Sequence, residues 1–209
     1  MRLSSSHKQF LLRATTTYSK DIALAEEYLS HRSLTVEEAG IFHLGVVENP
    51  LPGHENYKGR LSIPYITPSG VVDIRFRSIN NEEPKYLSLV GAGTTIFNTQ
   101  ACFAGDRYIC ITEGEFDCIM MTVKTHHPTI GIPGASNWKP HYARILDDFE
   151  TVIVLADGDS AGHTFAKKIA EELSNVNIIA MPTGEDVNSL ITRQGTDWIN
   201  ERIEECITA

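Results

Sequence analysis

Cysteine is scarce in this chain, and so is everything that would make it structural. Cys102, Cys110, Cys118 and Cys206 are the only four, too few and too scattered for a disulfide framework. None forms a C-x-x-C pair and no histidine lies at finger-like spacing, so the pattern offers no structural zinc site; the four read as reduced thiols. Long apolar runs are missing too: nothing approaches the ~18 residues that a membrane-crossing helix needs. The opening run, MRLSSSHKQFLLR, has neither the apolar stretch nor the cleavage site of a signal peptide, so the cytoplasm is the expected compartment. Internal repeats and low-complexity tracts are absent. Basic residues are the minority charge, 18 Lys and Arg against 27 Asp and Glu, for a formal net charge of −9. That total argues against a partner held by bulk attraction to phosphate. It decides little, because cations can bridge carboxylates to phosphates, and because Lys58, Arg60, Arg75, Arg77 and Lys85 fall in one stretch.

What is present fits a soluble globular protein: 209 residues, 42% hydrophobic and 22% charged, enough for one large domain or two small ones. The first 18 residues are rich in Ser and Thr and are expected to be flexible. In SKDIALAEEYLSHR, Ile22, Ala25 and Leu29 recur at helical spacing and predict one amphipathic helix. Thr35 followed by Glu38 is a capping-box pattern opening a second. GRLSIPYI and VVDIRFRSI, separated by Pro68-Ser69-Gly70, predict a β-hairpin that KYLSL continues and that carries the basic residues. From Asp106 the texture becomes β then α: strands at RYICIT, TIGIP, TVIVLA and NVNIIAM, with helices between and after them. The fold class predicted is α/β, a compact, mostly parallel sheet flanked by helices over 105–209, preceded by a small α+β basic subdomain over 19–104.

Acidic residues follow three of the predicted strands. Glu113 follows RYICIT, with Asp117 one helical turn on; Asp157 and Asp159 follow TVIVLA; Asp186, with Glu185 and Asn188, follows NVNIIAM. In an open parallel sheet these strand ends are where ligands bind. Carboxylates brought together there repel one another unless a divalent cation is bound. Oxygen-only ligation points to Mg²⁺ or Mn²⁺ rather than Zn²⁺, and two such ions suit phosphoryl transfer. The competing reading makes these acids helix N-caps, since Asp159 and Ser160 precede a predicted helix. One acid alone reads either way; three clusters at successive strand ends read as a site.

The segment I-T-E-G-E-F-D-C-I (Ile111 to Ile119) followed by L-A-D-G-D-S-A-G (Leu155 to Gly162) resembles the Toprim fold shared by primases, topoisomerases and some nucleases. I-G-I-P-G-A-S (Ile130 to Ser136) is similar to the strand and glycine turn that primases place between these motifs, and M-P-T-G-E-D-V-N-S-L-I (Met181 to Ile191) to the third acidic motif of DnaG-type primases. Upstream, Glu27 to Gly45, G-R-L-S-I-P-Y (Gly59 to Tyr65) and P-K-Y-L-S (Pro84 to Ser88) resemble the basic subdomain of the same enzymes.

The resemblance implies a primase catalytic core that makes short RNA primers on single-stranded DNA by two-metal nucleotidyl transfer. Glu113 would be metal ligand or general base, with Asp157, Asp159 and Asp186 holding two or more Mg²⁺ or Mn²⁺ ions and Asp117 in support. Arg60, Arg75, Arg77 and Lys85 would contact template or nucleotide phosphates, with Asn188 on the nucleotide side; the alternative for the basic residues is a solvated hairpin face. Implied partners are the single-stranded template, ribonucleoside triphosphates, a replicative helicase and a separate zinc-binding module, for neither of which last two the chain has room. Bacterial primases carry D-P-D where this chain has Asp186-Val187-Asn188, so one metal position is expected to be looser. The D-x-N form resembles phage primase-helicases and points to a phage or mobile element and a host cytoplasm. A Toprim nuclease and a non-catalytic DNA-binding replication factor remain as rivals, and a topoisomerase would need a strand-passage domain.

Overall fold

Apolar residues alternate with period two in the runs GRLSIPYI and VVDIRFRSI, whereas strand and helix alternate from residue 106 onward. In the computed structural model, which describes residues 3–93, 95–104, 107–134 and 137–208, the contacts fall into two units, 1–93 and 94–209. The division precedes the boundary at 104/105 read from sequence. Ile96 belongs to the second unit's core, and the Phe97 backbone exchanges hydrogen bonds with Gly131 at 2.8 and 3.1 Å.

The first unit is built on an antiparallel sheet of β1 (Gly45–Val46), β2 (Leu61–Thr67), β3 (Gly70–Arg77) and β4 (Tyr86–Ser88), in that order. β2 and β3 are the expected hairpin, in register from Leu61 opposite Arg77 and slipping at Tyr65/Ile66. Against this sheet lies α1 (Ser5–Tyr18), N-capped by Ser4, whose hydroxyl accepts from the His7 N–H at 3.2 Å. The expectation of a flexible start does not hold over this helix. Leu11, Ala14 and Tyr18 stand three and four residues apart, form one face, and are buried with Val71, Ile74 and Phe76. Burying such side chains is worth about 1.5–3 kcal/mol each, which outweighs the modest helix propensity of Ser and Thr. The Tyr18 hydroxyl is 2.8 Å from Nδ1 of buried His54 and accepts from the Leu51 N–H at 3.1 Å. β1 passes so close to the end of α1 that a Cβ on Gly45 would stand 2.2 Å from the Tyr18 carbonyl.

The single helix predicted from Ser19 is interrupted. Ser19–Ala25 forms tight 3₁₀ turns with a break at Asp21 (φ −101°, ψ 17°), and α2 covers only Glu26–Ser30. α3 (Val36–Ile41) begins as expected: Glu38 N–H donates to Thr35 Oγ1 at 3.1 Å and Thr35 N–H to Glu38 Oε2 at 2.9 Å.

The second unit carries a parallel sheet of β5 (Tyr108–Thr112), β6 (Thr129–Gly131), β7 (Thr151–Ala156) and β8 (Val176–Ala180), in the order β6-β5-β7-β8. Its helices are α4 (Glu115–Met120), which runs into a π-helical turn, α5 (Pro140–Leu146), α6 (Ser160–Ala170), α7 (Val187–Gln194) and α8 (Asp197–Thr208). Ile109, Ile111, Val152, Val154, Phe165 and Ile169 are central to its core. The chain goes outward from β5 to β6 and then back past β5 to β7, so the connections leaving β5 and β7 part in opposite directions. That reversal opens the crevice where α/β sheets bind ligands. Among the described residues, no helix is long and apolar enough to cross a membrane.

Asp73 on β3 is an unusual burden for the first unit. It is 8% exposed, and burial pushes its carboxyl up to about 6, despite the Ile74 N–H it accepts and the nearby charges of Arg75 and His7. An unfolded chain releases that proton near 3.8, so stability falls as pH rises from there, and the penalty is complete above about 6. Asp73→Asn keeps the acceptor and should raise Tm at pH 8 by about 4 °C, for a penalty on the order of 2 kcal/mol. At pH 3.5 the variant and wild type should melt together; thermal melts at the two pH values decide it.

Candidate active site

Three parallel strands end at one edge of the sheet, and each hands the chain to an acidic residue. Thr112 of β5 is followed by Glu113, Ala156 of β7 by Asp157-Gly158-Asp159, and β8 by the turn that delivers Asp186 to the N-cap of α7. The second and third of these loops are joined backbone to backbone. Gly158 N–H donates to the Glu185 carbonyl at 2.8 Å, Gly184 N–H to the Gly158 carbonyl at 2.9 Å, and Met181 N–H to the Ala156 carbonyl at 2.8 Å. A Cβ on Gly158 would stand 1.9 Å from the Pro182 carbonyl oxygen, so only glycine fits. α4 is tied in from the other side, where Asp117 Oδ1 accepts from the Asn188 N–H at 3.0 Å.

These ties place the acids in one another's fields. Glu113 is half-buried, and its Oε1 is buried with no hydrogen-bond partner. Desolvation first, then the charges of Asp159 and Asp117, push its carboxyl up to about 7. Asp157 is pushed up to about 8, again mostly by desolvation, with Asp117, Glu113, Asp186 and Asp159 each adding repulsion. The five acids singled out by sequence therefore do act on one another.

They do not form a ready-made cage. Among the described residues, no three His, Cys, Asp or Glu side chains are drawn together closely enough to hold an ion. Convergence stops short of ligation in part because two of the carboxylates already have local duties. Asp159 Oδ1 caps α6 by accepting from Gly162 N–H at 2.8 Å, and Asp186 Oδ1 caps α7 by accepting from Ser189 N–H at 2.6 Å. The cap reading and the site reading thus describe the same residues. The donor set still fits a hard divalent cation: it is all oxygen, and the unpartnered Glu113 Oε1 and the strained ionisation of Asp157 are what such an ion would relieve.

Two of the basic residues, Arg60 and Arg77, are buried and do not lie on a solvated face. Arg60 is 5% exposed; its guanidinium donates to the Pro84 carbonyl at 2.8 Å and lies 4.0 Å from Glu82. Arg77 is buried too and donates to the Tyr86 hydroxyl. Its guanidinium stacks between Tyr86 (4.9 Å) and Tyr28 (5.7 Å), with Arg75 over Tyr86 at 4.3 Å and Arg32 over Tyr28 at 5.1 Å. Lys85 is exposed. Sequence reasoning weighed the charges and passed over the two tyrosines between them, although both stood in the quoted motifs. It also passed over Glu115, which is 1% exposed between Glu113 and Asp117. Asn188 is buried, and its N–H donates to Asp117 Oδ1. Ala135 and Ser136, the end of the glycine-turn motif, lie outside the described residues.

Residues 110–191 match the Toprim-like family, the span from β5 to α7. The gene 57 protein of Mycobacterium phage D29 is 44% identical over 152 residues, which cover 70% of this chain and 99% of that protein. The DNA primase of Buchnera aphidicola subsp. Acyrthosiphon pisum is 26% identical over 173 residues, 74% of this chain and 30% of that primase, so the chain spans about a third of its length. Among solved structures, the DnaG catalytic core aligns with a TM-score of 0.80 at 20% identity, over 95% of this chain and 79% of that one. The DnaG primase catalytic domain bound to ssDNA aligns with a TM-score of 0.78 at 19% identity, over 96% and 83%. At those identities the structural likeness is one of fold.

Ionising Asp157 burdens the folded state from its ordinary value of 3.8 up to about 8, so stability is lost as pH rises through that window. Without metal, Asp157→Asn should melt higher than wild type at pH 8.5 and equally at pH 3.5. Mn²⁺ should raise the wild-type Tm by ligand linkage and raise that of the variant far less. Equal Mn²⁺ shifts in both proteins would remove Asp157 from the site.

Proposed function

We propose that this chain, a member of the Toprim-like family, is a primase catalytic core of the DnaG type, joining ribonucleotides into short RNA primers on single-stranded DNA. The observation that carries the proposal is the set of acids at the topological reversal of the sheet: Glu113 and Asp157, each raised by burial and by its neighbours, with the Asp157 loop bonded to the one that bears Asp186 and Glu113 just ahead of α4, whose Asp117 accepts from the Asn188 N–H. Carboxylates held together against their own repulsion are the arrangement that phosphoryl transfer with divalent cations requires. The match to a phage protein supports a phage or mobile-element origin.

In the reaction proposed, the 3′-hydroxyl of one ribonucleotide attacks the α-phosphate of the next and pyrophosphate leaves. Asp157, Asp159 and Asp186 would hold Mg²⁺ or Mn²⁺, with Asp117 supporting, and the bound ions would stabilise the charge developing on the transferring phosphorus. Glu113 would be a ligand of such an ion or the acceptor of the hydroxyl proton. Lys85 and Arg75 contact phosphates of template or nucleotide. Buried Arg60, just before β2, and Arg77, at the end of β3, brace the segment that forms β4, with Arg60 bonded to Pro84 and Arg77 to Tyr86. One of the fold's solved neighbours holds ssDNA, which supports the choice of template. A replicative helicase and a separate zinc-binding module are the partners this reading calls for, because phosphate contacts position a template without selecting its sequence.

Incorporation of labelled ribonucleotides on single-stranded templates, with and without a short RNA to extend, tests the reaction. Wild type should extend the RNA in Mg²⁺ or Mn²⁺. Glu113→Gln and Asp157→Asn should lose at least about 100-fold in rate while still folding and binding DNA. Cleavage of the template without incorporation would replace the primase with a nuclease, and binding without either reaction would leave a non-catalytic replication factor. Affinity for single strands should fall with salt at a slope of about −0.7 per phosphate contact. Arg75→Ala and Lys85→Ala should each flatten that slope; an unchanged slope would remove them from the interface.

A further inference from the structure

Beside Asp186 stand three side chains for which the primase reading has no use: Glu185, Ser189 and Arg193. We propose that they form a positioning relay, which fixes the Asp186 carboxylate and the loop bearing Asp157 and Asp159 in one frame so that these acids can share a cation. The proposal rests on the primase reading for the identity of the site.

The contacts run in series. Ser189 N–H donates to Asp186 Oδ1 at 2.6 Å, and Ser189 Oγ accepts from the Asp186 N–H at 2.9 Å. That reciprocal pair already caps α7, and a helix N-terminus needs nothing more. The structure adds more. The Ser189 hydroxyl, with one proton to give, is 2.5 Å from Glu185 Oε2 and 3.0 Å from the Asp186 carbonyl. A bond to an ionised acceptor is the stronger of the two, so the proton goes to Glu185. Glu185 Oε1 in turn accepts from Arg193 Nε at 2.9 Å. Ser189 and Arg193 stand one turn apart on the same face of α7, so the Glu185 carboxylate is gripped at both oxygens from a single helix.

The backbone of Glu185 does the second half of the work. Its carbonyl accepts from the Gly158 N–H at 2.8 Å, the residue between Asp157 and Asp159. One residue therefore touches the cap that orients Asp186 and the loop that carries the other two acids. Fixing Oδ1 of Asp186 fixes the direction of its other oxygen, and the charge of Asp186 is felt at Asp157. Arg193 also keeps Glu185 from adding an uncompensated charge to the cluster. Arg193 is 55% exposed, and a pair so open contributes little energy by itself; what it contributes is orientation.

Mn²⁺ alone is the probe, titrated by calorimetry into the full chain, alongside Tm and the Mn²⁺ concentration that half-saturates ribonucleotide incorporation. Glu185→Ala and Ser189→Ala should each weaken Mn²⁺ binding about tenfold, the loss typical of removing a group that orients a metal ligand. The half-saturating Mn²⁺ should rise by the same factor while the rate at saturation stays near wild type. Arg193→Ala, a surface change, should show a smaller loss in the same direction, and Ser189→Thr, which keeps the hydroxyl, should bind Mn²⁺ like wild type. Variants that lower Tm but leave Mn²⁺ affinity unchanged would reduce the relay to a helix cap and overturn the proposal, as would a wild type that binds no Mn²⁺. A wild type that binds Mn²⁺ without incorporating nucleotides would overturn the primase reading, and the variants' affinities would still judge the relay.

Discussion

Gly158 leaves no space for a side chain: a Cβ there would lie 1.9 Å from the Pro182 carbonyl oxygen, and the residue's own N–H and C=O are bonded to Glu185 and Gly184. Because the loop after β7 and the loop after β8 are held this close, Asp157, Asp159 and Asp186 cannot relax away from one another by moving their backbones. α6 adds a second close approach, since a Cβ on Gly162 would stand 2.3 Å from the Asp157 carbonyl oxygen. The acidic crevice exists because rigid peptide contacts, rather than side-chain attraction, set its dimensions.

The carboxylates oppose that arrangement. Asp157 and Glu113 are pushed to about 8 and about 7 by burial and mutual repulsion, so near neutral pH the unliganded site holds protons that ordinary carboxylates would have released. The parallel sheet supplies what the acids withhold, with strands β5 and β7 carrying near-continuous runs of buried Ile and Val directly beneath the site. A stable core that supports a repulsive, cation-seeking edge is the usual division between stability and function.

How far the sequence discloses this differs from feature to feature. The strand runs RYICIT and TVIVLA and the D-G-D-S-A-G turn announce both the sheet and its acidic edge, because buried parallel strands are continuously apolar and the acids stand immediately after them. The Thr35–Glu38 cap is equally visible, since it depends on two residues at fixed spacing. α1 is hidden, because its Leu11, Ala14 and Tyr18 stripe is diluted by Ser and Thr, and only the tertiary contact reveals its buried face. The break at Asp21 is hidden for the converse reason: helical spacing of Ile22, Ala25 and Leu29 survives in 3₁₀ turns followed by a short helix. Charge was the least reliable guide. Arg60 and Arg77 look like surface cations in a one-dimensional count, yet their guanidinium groups are occupied by Pro84 and Tyr86 within the fold. The acids, for their part, could not be sorted into caps or ligands, because Asp159 and Asp186 cap helices with one oxygen while standing at the site.

Asn188 shows how tightly the charge of the crevice is drawn. By the resemblance of its third acidic motif, DnaG-type primases have a second aspartate where this chain has Asn188, and here the residue is 6% exposed with its N–H on Asp117 Oδ1 at 3.0 Å. An aspartate at that position would bring another carboxylate next to buried Asp117, and its ionisation would cost both desolvation and repulsion. It would also add to the charges already raising Asp157. A neutral amide of nearly the same shape keeps the polar surface and leaves the net charge of the crevice lower by one. The chain thus reaches its acidic edge with one formal charge fewer than a D-x-D form would carry.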